Sequence, residues 1–445
     1  MKKIMIFLSV IMIIWGITVV VFAADEITSD AILFTTSVTT NEIKVQQNGV
    51  YIDFRDNEGN IVNPQIVNSR TMVPFRKIFN SLGVTDENIL WDGETKTVVA
   101  KQNNIEIELQ IDNTVAKKVI SGDVSEIKLD SAPIIVEGRT LVPVRFIAES
   151  MNKKVGWDAQ NRTVIIIDTE KLVNDLENSI SQYIEIANMD SKTSGNNSLK
   201  MNLKGKIEYQ STDNKANNST VNLTGTMILN QTADIVALNV DTKITGKGEL
   251  YNSLKENKLT NFTYNLILND NKIYLKSTSL DAKTNGKWTV REEDAIQDLF
   301  KTIGEEKISF KHIFEVDEEA LNINTYKALE TISSLLKVLL NDKNIEITEK
   351  GTSKTYAITM NLADIKKVLK EADIQTKWDG LDATLKISST YKKEVLQSSA
   401  CEIEFNYVEG NELLRGTLNA EGKLSTSTNV SIPDVSQVID ASEVK

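Results

Sequence analysis

The heptad RTMVPFR at residues 70–76 is repeated almost letter for letter as RTLVPVR at residues 139–145. In a chain of 445 residues with only five prolines, two such stretches indicate that one structural unit has been duplicated. The 69-residue offset that relates the heptads also relates Pro64 to Pro133. The match therefore extends beyond the heptads themselves.

A second pair of matching stretches follows each heptad. WDGETKTVVA at residues 91–100 corresponds to WDAQNRTVII at residues 157–166, now at an offset of 66. The difference of three residues falls between the segments GVTDEN and NKK, in a connection where insertions are tolerated. The two copies are thus expected to share their regular elements and to differ in one loop.

Each copy has the pattern of a strand, a helix, a strand, a turn and a strand. The stretches IVNSRTMV and IVEGRTLV have the pattern of a strand that ends in a tight turn, with Ser69 or Gly138 at the turn, and the proline that follows suits the first turn of a helix. Apolar residues then recur at helical spacing, as Phe75, Ile78, Phe79 and Leu82 in the first copy and as Val144, Ile147, Ala148 and Met151 in the second. The duplicated part is therefore predicted to be a small α+β domain.

This doubled pattern resembles the copper amine oxidase N-terminal-like domain, also called the stalk domain, over residues 43–168. The resemblance implies a scaffold found in exported bacterial proteins and no redox centre, because the copper amine oxidase catalytic domain needs three His ligands and this chain has only His312. The repeated residues are expected to be structural and not catalytic: Pro64, Arg70, Pro74, Arg76, Trp91, Asp92, Pro133, Arg139, Pro143, Arg145, Trp157 and Asp158.

The four repeated arginines allow two interpretations. The favoured one is structural, with each guanidinium capping backbone carbonyls or pairing with nearby acids such as Asp92 and Asp158. The other is functional, with the arginines contacting a carboxylate or a cell-wall glycan.

The N-terminus has the features of an export signal. Lys2 and Lys3 precede an apolar run, and small residues at Val21 and Ala23 suit cleavage after Ala23. The alternative is that the segment stays as a membrane anchor. In either case we expect a signal segment at residues 1–23, a linker at 24–42 and a location outside the cell, secreted or on the cell envelope.

Composition excludes several classes of function. The net charge of −12 disfavours nucleic acid as a partner. Cys401 is the only cysteine, so an intrachain disulfide is excluded. No nucleotide-binding, metal-ligand or catalytic-triad motif accompanies His312, and acidic pairs such as Glu318-Glu319 fit helix N-termini better than catalysis. We therefore expect no enzymatic activity, no metal and no cofactor.

The C-terminal half alternates between strands and helices. Residues 169–191 have the pattern of one amphipathic helix that Thr169 could cap, within a connector at 169–197. Alternating strands then run to about residue 290, helices are predicted at 291–303, 317–342 and 361–374, and strands resume to about 433. Asp317 and Asn361 are the predicted caps of the last two helices. The expected result is a curved antiparallel sheet with helices packed on its concave face.

That arrangement, together with the stretch DNKIYLKSTSLDAKTNGKW at 270–288, resembles the lipoprotein-carrier (LolA-like) half barrel of bacterial envelope proteins. The resemblance covers about residues 172–433, within which the half-barrel domain is expected at 198–433, followed by a tail at 434–445. It implies an apolar cavity that could hold an acyl chain. The alternative is a dry interior filled by Leu335, Leu336, Leu339 and Leu340.

Three functions remain open on the sequence. The first is a non-enzymatic envelope protein whose stalk domain presents a binding module for a lipid-like ligand, a wall component or a partner protein. The second is an enzyme that acts on cell-wall glycan through carboxylates in the C-terminal half. The third is a structural component of a surface layer or spore coat.

Overall fold

The protein was analysed as a computed structural model, which describes residues 42–55, 59–188, 197–213, 215–231, 235–256, 260–277, 285–292, 310–374, 380–393, 395–426, 432–434, 436 and 438–440. The predicted signal segment, its linker and most of the predicted tail lie outside these residues. The described residues form two compact units. The N-terminal unit comprises residues 42–175 and 313–333, and the C-terminal unit comprises residues 176–312 and 334–440.

The two heptads lie side by side in the N-terminal unit. They form the central strands of a four-stranded sheet whose order is β10-β11-β4-β3. Its strands are β3 (Gln65–Val67), β4 (Arg70–Pro74), β10 (Ile134–Val136) and β11 (Arg139–Pro143). Strands β4 and β11 are antiparallel, and Val73 pairs with Val142. Each heptad strand also forms a hairpin with the strand before it.

The two hairpins turn through residues with positive φ angles. Asn68 and Ser69 have φ values of 51° and 61°, and Glu137 and Gly138 have values of 49° and 72°. Two successive residues with positive φ form the tight hairpin turn that matches the natural twist of paired strands. The predicted turn positions Ser69 and Gly138 are thus confirmed.

A short helix follows each heptad strand. These are α1 (Phe75–Ser81) and α2 (Val144–Ser150). Pro74 and Pro143 are the cap residues with extended ψ angles of 121° and 115°, so each proline ends the strand and the helix begins one residue later than predicted. The predicted apolar stripes are buried, apart from the partly buried Phe75, and join one core that includes Val73 and Val142.

Two further sheets complete the N-terminal unit. One has the order β12-β13-β1-β2 and the other the order β5-β6-β7-β8-β9. The strands of the first are β1 (Lys44–Gln47), β2 (Val50–Tyr51), β12 (Lys154–Asp158) and β13 (Thr163–Ile167). Those of the second are β5 (Ile89–Asp92), β6 (Thr97–Gln102), β7 (Ile105–Gln110), β8 (Val115–Ile120) and β9 (Asp123–Lys128). The final hairpin of each copy, β5–β6 or β12–β13, lies at one edge of its sheet.

The C-terminal unit is built on one twelve-stranded sheet that curls into a half barrel. The strand order is β20-β21-β22-β23-β24-β14-β15-β16-β17-β18-β19-β25, and every pairing is antiparallel except that of β19 with β25. Its first strands are β14 (Asn197–Ser211), β15 (Ser219–Gln231), β16 (Ile235–Lys247), β17 (Asn261–Asn269), β18 (Lys272–Ser277) and β19 (Trp288–Glu292). The others are β20 (Ile345–Lys350), β21 (Ser353–Asn361), β22 (Leu381–Lys392), β23 (Val395–Glu409), β24 (Glu412–Thr426) and β25 (Val438–Asp440). The predicted α+β class agrees with this mixture of sheets and helices.

The predicted helix at 169–191 is two helices. They are α3 (Thr169–Ser179) and α4 (Ser181–Asn188). Asp342 explains the restart, because its carboxylate accepts hydrogen bonds from the Gln182 N–H at 2.9 Å and the Ser181 hydroxyl at 2.8 Å. The predicted cap at Thr169 was wrong by one residue, since Asp168 accepts the Lys171 N–H at 3.0 Å.

Of the remaining helices, the first was not predicted from the sequence, and the other two are shorter than predicted. They are α5 (Glu249–Glu256), α6 (Thr325–Leu340) and α7 (Leu362–Glu371). Helix α6 begins late because the Ile323 N–H donates to the Asp158 carboxylate at 3.1 Å and not to a helical carbonyl. Most of the helix predicted at 291–303 lies outside the described residues, and its first two residues belong to β19.

The two predicted caps in this region have different outcomes. Asp317 caps a 3₁₀ turn at Glu318–Ala320, where its side chain accepts the Glu319 N–H at 3.0 Å. Asn361 precedes α7 as predicted, but its side chain makes no cap hydrogen bond and instead accepts from the Thr384 hydroxyl at 3.1 Å.

Candidate functional site

A cleft of about 430 Å³ opens on the N-terminal unit. Its walls are the first turn of α1, the edge strand β5 and the hairpin β10–β11. The side chains that give the cleft its chemical character are Phe75, Arg76, Lys77, Trp91 and Arg139. Two aromatic rings and three cationic groups thus line one concavity, in a chain whose net charge is −12.

The local fold explains why these side chains meet. Since Pro74 ends β4 and α1 begins at Phe75, residues 75–77 form the first helical turn beside the strand pair β4–β11. Arg139 starts β11 directly after the tight turn at Gly138. Trp91 lies on an edge strand and keeps 39% of its surface exposed.

Arg76 is held in place by two contacts. Its Nη1 donates to Asp86 Oδ1 at 3.2 Å, and its guanidinium carbon lies 5.5 Å from the centre of the Phe75 ring. Asp86 belongs to the three-residue insertion of the first copy and also accepts from Asn80 Nδ2 at 3.0 Å. The hydrogen bond from Asn80, followed by that from Arg76, lowers the pKa of the Asp86 carboxyl, so this partner stays ionised.

Arg70 and Arg145 have acidic partners too, but not the expected ones. Arg70 pairs with Asp130 at 2.7 Å and also donates to the Ser69 carbonyl at 3.1 Å. Arg145 pairs with Glu149 and with Glu318, each at 3.3 Å. In the contacts described for Arg70, Arg76 and Arg145, the expected partners Asp92 and Asp158 do not appear.

Those two aspartates organise turns instead. Asp92 Oδ1 accepts the N–H groups of Glu94 and Thr95 at 2.9 and 3.3 Å, and the pKa of its carboxyl is lowered by hydrogen bonds, first from the Thr95 side chain. Asp158 accepts the Asn161 N–H at 3.0 Å, as well as the Ile323 N–H described above. The two Trp-Asp stretches therefore shape their hairpins, because an aspartate that accepts N–H groups two or three residues ahead fixes a turn.

Of the twelve repeat residues, the structure brings four to the cleft and leaves eight elsewhere. Those at the cleft are Pro74, Arg76, Trp91 and Arg139. Those elsewhere are Pro64, Arg70, Asp92, Pro133, Pro143, Arg145, Trp157 and Asp158. Phe75 was predicted only as part of the apolar stripe of the helix, and Lys77 was not singled out from the sequence. The available signal was their replacement by Val144 and Phe146 in the second copy, which removes the cation and moves the ring to the other side of the arginine.

The C-terminal unit has a different candidate site, on the apolar face of its sheet. Six leucines lie in register across six neighbouring strands, from β24 to β18. In strand order this leucine row is Leu424, Leu199, Leu229, Leu238, Leu266 and Leu275. The three central leucines are buried, and the outer three are half-buried. A continuous apolar strip of this kind is suited to an extended hydrocarbon chain.

Glycines on the same face let strands approach closely. A Cβ at Gly225 would lie 2.1 Å from the Asp241 carbonyl oxygen, and one at Gly422 would lie 2.2 Å from the Lys200 carbonyl oxygen. No larger residue fits at either place without moving backbone, which is the usual role of glycine where a sheet bends. The curl of the sheet thus depends on small residues within its apolar face.

The predicted dry interior is only partly filled. Leu340 is buried, whereas Leu335, Leu336 and Leu339 of α6 are half-buried. Cys401 lies on the apolar face between Ile387 and Ala420, and burial raises the pKa of its thiol to about 12. These residues present an apolar surface and no reactive group to a ligand.

A second depression of about 420 Å³ lies among charged side chains of the same sheet. Its acids include Glu208, Glu404 and Asp382. Glu208 is bound to Arg415 at 2.7 Å and to Lys206, and the hydrogen bond from Lys206, then that from Arg415, lowers the pKa of its carboxyl. Within the described residues no group of three or more His, Cys, Asp or Glu side chains is placed to hold a metal ion. The helices described here are also too short or too polar to cross a membrane.

Comparison with protein families gives one match. Residues 38–166 match the family model described as the copper amine oxidase N-terminal domain. No curated protein matches the chain in sequence.

Comparison with solved structures gives distant likenesses, of which two are described here. A lipovitellin structure, titled for lipid–protein interactions, is 8% identical and has a TM-score of 0.24. The match covers 54% of this chain and 26% of that one, so the chain spans about a quarter of the lipovitellin chain. The dehydratase domain from the CurJ module of curacin polyketide synthase is 7% identical, with coverages of 56% and 83% and a TM-score of 0.09.

Proposed function

We propose that this chain is a non-enzymatic exported protein of the cell envelope, in which a duplicated stalk domain presents a half-barrel module that binds a lipid-like ligand. The observation that carries the proposal is the leucine row, which runs across six strands and stays partly exposed at both ends. Its half-buried ends, Leu424 on one side and Leu266 and Leu275 on the other, leave apolar surface within reach of a ligand, and exposed apolar surface of this kind often marks a binding site.

The stalk assignment rests on the family match to residues 38–166 and on the equivalence of the two copies. Each copy places its heptad in a strand, its proline at the helix cap and its Trp-Asp pair in an edge strand. A small domain held together by repeated packing, with no cluster of reactive groups, suits a spacer or a presenting scaffold. Export rests on the pattern of residues 1–23.

The ligand class follows from the chemistry of the sheet. The row offers branched apolar side chains and no charge, so a fatty acyl chain is favoured over a polar metabolite. Helix α6 has three more half-buried leucines, Leu335, Leu336 and Leu339. The sequence resemblance to lipoprotein carriers favours the same class of ligand, an acyl chain, for the half barrel.

A wall-active enzyme is the weaker alternative. Acid–base hydrolysis of a glycan needs one carboxylic acid that keeps its proton near neutral pH. In the acidic depression, Glu208 has a lowered pKa because Lys206 and Arg415 bind it. That shift opposes the role of a general acid for Glu208, so we place the enzymatic alternative behind lipid binding.

The test is native mass spectrometry of the exported protein, combined with titration of a fluorescent C18 fatty acid. We expect co-purified lipid and saturable binding. Leu275→Gln and Leu424→Gln, at the two ends of the leucine row, should each weaken fatty-acid binding by about tenfold, since each replaces apolar contact area by an amide. The control is Thr224→Gln, an exposed position on a strand of the same sheet, which should bind normally.

Two results would refute the proposal. One is a folded protein that neither carries lipid nor binds the fatty acid. The other is equal binding by the row variants and the control. Sequencing the N-terminus of the exported protein tests the export part separately, because cleavage after Ala23 leaves Ala24 as the first residue.

A further inference from the structure

The cleft of the N-terminal unit lies outside the half barrel and is not used by the function proposed above. It joins the exposed indole of Trp91 to the cationic side chains of Arg76, Lys77 and Arg139. A flat aromatic surface beside several positive charges suits a ligand with one apolar face and one anionic group. Its volume of about 430 Å³ is within the usual range for small-molecule sites, about 300–1,000 Å³.

The second copy shows what the last arginine of the heptad binds. Arg145, the counterpart of Arg76, pairs at 3.3 Å with the Glu318 carboxylate, which comes from 173 residues further along the chain. Lys154 Nζ lies 3.7 Å from the other oxygen of the same carboxylate. The arginine at the same heptad position, in an equivalent short helix, thus binds a carboxylate that arrives from a separate segment.

In the first copy the equivalent arginine, Arg76, lines the cleft, and the side chains next to it are different. Phe75 and Lys77 stand where the second copy has Val144 and Phe146, so the first copy has a cation that the second lacks, and its ring comes before the arginine and not after it. Asp86 binds one N–H of Arg76, and a guanidinium has five such donors in a planar fork. An incoming carboxylate can therefore bind Arg76 while Asp86 stays in place.

We propose that this cleft binds a carboxylated sugar residue of a glycan chain. The C–H face of the sugar ring packs on Trp91, and the carboxylate binds Arg76 and Arg139, with Lys77 as a further positive charge. The inference deepens the proposed function, on which it rests for the location of the ligand outside the cell, and it is independent of lipid binding by the half barrel. A free uronic acid and a wall strand share this chemistry, so both are used as probes.

The experiment measures binding to the purified full chain by calorimetry and by the shift of the Trp91 indole N–H resonance. The probes are glucuronic acid, the disaccharide of N-acetylglucosamine and N-acetylmuramic acid, and the methyl ester of that disaccharide. We expect binding of the acids, at least tenfold weaker binding of the ester, and weaker binding as salt is added, because the ester cannot form the charged hydrogen bonds. Stronger binding of the disaccharide than of glucuronic acid would identify a wall strand as the source.

Arg76→Gln, Arg139→Gln and Trp91→Ala should each weaken binding about tenfold or more, which is the typical loss for a charged hydrogen bond or a buried ring. Arg145→Gln is the matched control, because it changes the same heptad position outside the cleft. Equal binding of acid and ester, an equal effect of Arg145→Gln, or preference for a short acidic peptide over both sugars would overturn the proposal. Loss of sugar binding with intact lipid binding would refute this site alone and leave the half-barrel function standing.

Discussion

Val73 and Val142 pair directly across the antiparallel strands β4 and β11, and neither side chain is exposed to solvent. Their neighbours pair reciprocally, since Met72 lies opposite Pro143 and Pro74 lies opposite Leu141. Because the 69-residue offset exchanges the members of these pairs, the two heptads are related by a local twofold axis between the two valines. The repeat therefore forms the centre of its own domain.

Replacing either valine by alanine should destabilise the N-terminal unit by a similar amount, about 2 kcal/mol, because each leaves a cavity in the same core. The double variant should differ from the sum of the single variants by at least about 0.5 kcal/mol, since the two residues are in direct contact across the strands. Denaturant unfolding of the three variants measures this. Val124→Ala, at a residue that is 66% exposed, is the control and should stay within about 0.5 kcal/mol. Strict additivity would contradict the shared core.

Lys153 and Asp168 form a largely buried ion pair at the end of the second copy. Lys153 Nζ lies 2.5 Å from Asp168 Oδ2, and the two side chains are only 15% and 16% exposed. Asp168 also caps α3. Asp168→Asn should lower the free energy of unfolding by about 2 kcal/mol, because it leaves the Lys153 ammonium without its counter-charge. Glu170→Gln, on the exposed first turn of the same helix, should change the free energy little, and equal effects of the two variants would count against a structural ion pair.

The sequence predicted those parts of the fold that depend on local pattern. The 69-residue offset and the helical spacing of Ile78 and Phe79 were enough to predict the strand, the turn and the helix of each copy. The partners of those elements depend on the three-dimensional path of the chain. Strand β13 pairs in parallel with β1, more than a hundred residues earlier, and no periodicity indicates that choice. For the same reason the pairing of Arg145 with Glu318 could not be predicted.

The candidate cleft was predictable only in part. The repeat identified Arg76, Trp91 and Arg139, but it also identified Arg70 and Arg145, which have the same spacing and lie elsewhere. These arginines differ in which strand of the other copy lies nearby, and that depends on the pairing of β4 with β11.

The apolar alternation of the C-terminal strands predicted a sheet with one buried face. The alignment of six leucines needed the register of five strand pairs, each of which could slip by two residues without changing the alternation.

Cys401 should react slowly in the folded protein. Burial, and secondarily the charge of Glu402, raises the pKa of its thiol from an ordinary value near 9.0 to about 12. Only the thiolate attacks a disulfide reagent, so at pH 8 the reaction should be about a thousandfold slower than in the unfolded chain. The rate should keep rising as the pH passes 10, where an ordinary thiol has levelled off. An aromatic disulfide reagent, with and without guanidinium, measures both rates, and native and unfolded rates within tenfold of each other would show that the apolar face is open to water at Cys401.

Gly156 allows residues 318–323 to pack against β12. A Cβ at this position would lie 2.5 Å from both the Glu318 carbonyl oxygen and Leu321 Cβ. Gly156→Ala should therefore push the segment away, expose Leu321 and weaken the hydrogen bond from the Ile323 N–H to Asp158. We expect a loss of about 1–3 kcal/mol, typical of overpacking, and faster hydrogen exchange at Ile323.

The chain supplies a matched control for this variant. Gly93 follows the Trp-Asp pair of the first copy, where the second copy has Ala159, and a Cβ there would meet only Trp91 at 3.7 Å. Gly93→Ala should leave stability within about 0.5 kcal/mol of the parent. If Gly156→Ala is equally mild and exchange at Ile323 stays slow, residues 318–323 do not need a glycine at position 156 in order to pack against β12. If only Gly156→Ala is disruptive, residues 318–323 are an integral part of the N-terminal unit, and residues 43–168 alone should be less stable than the full chain.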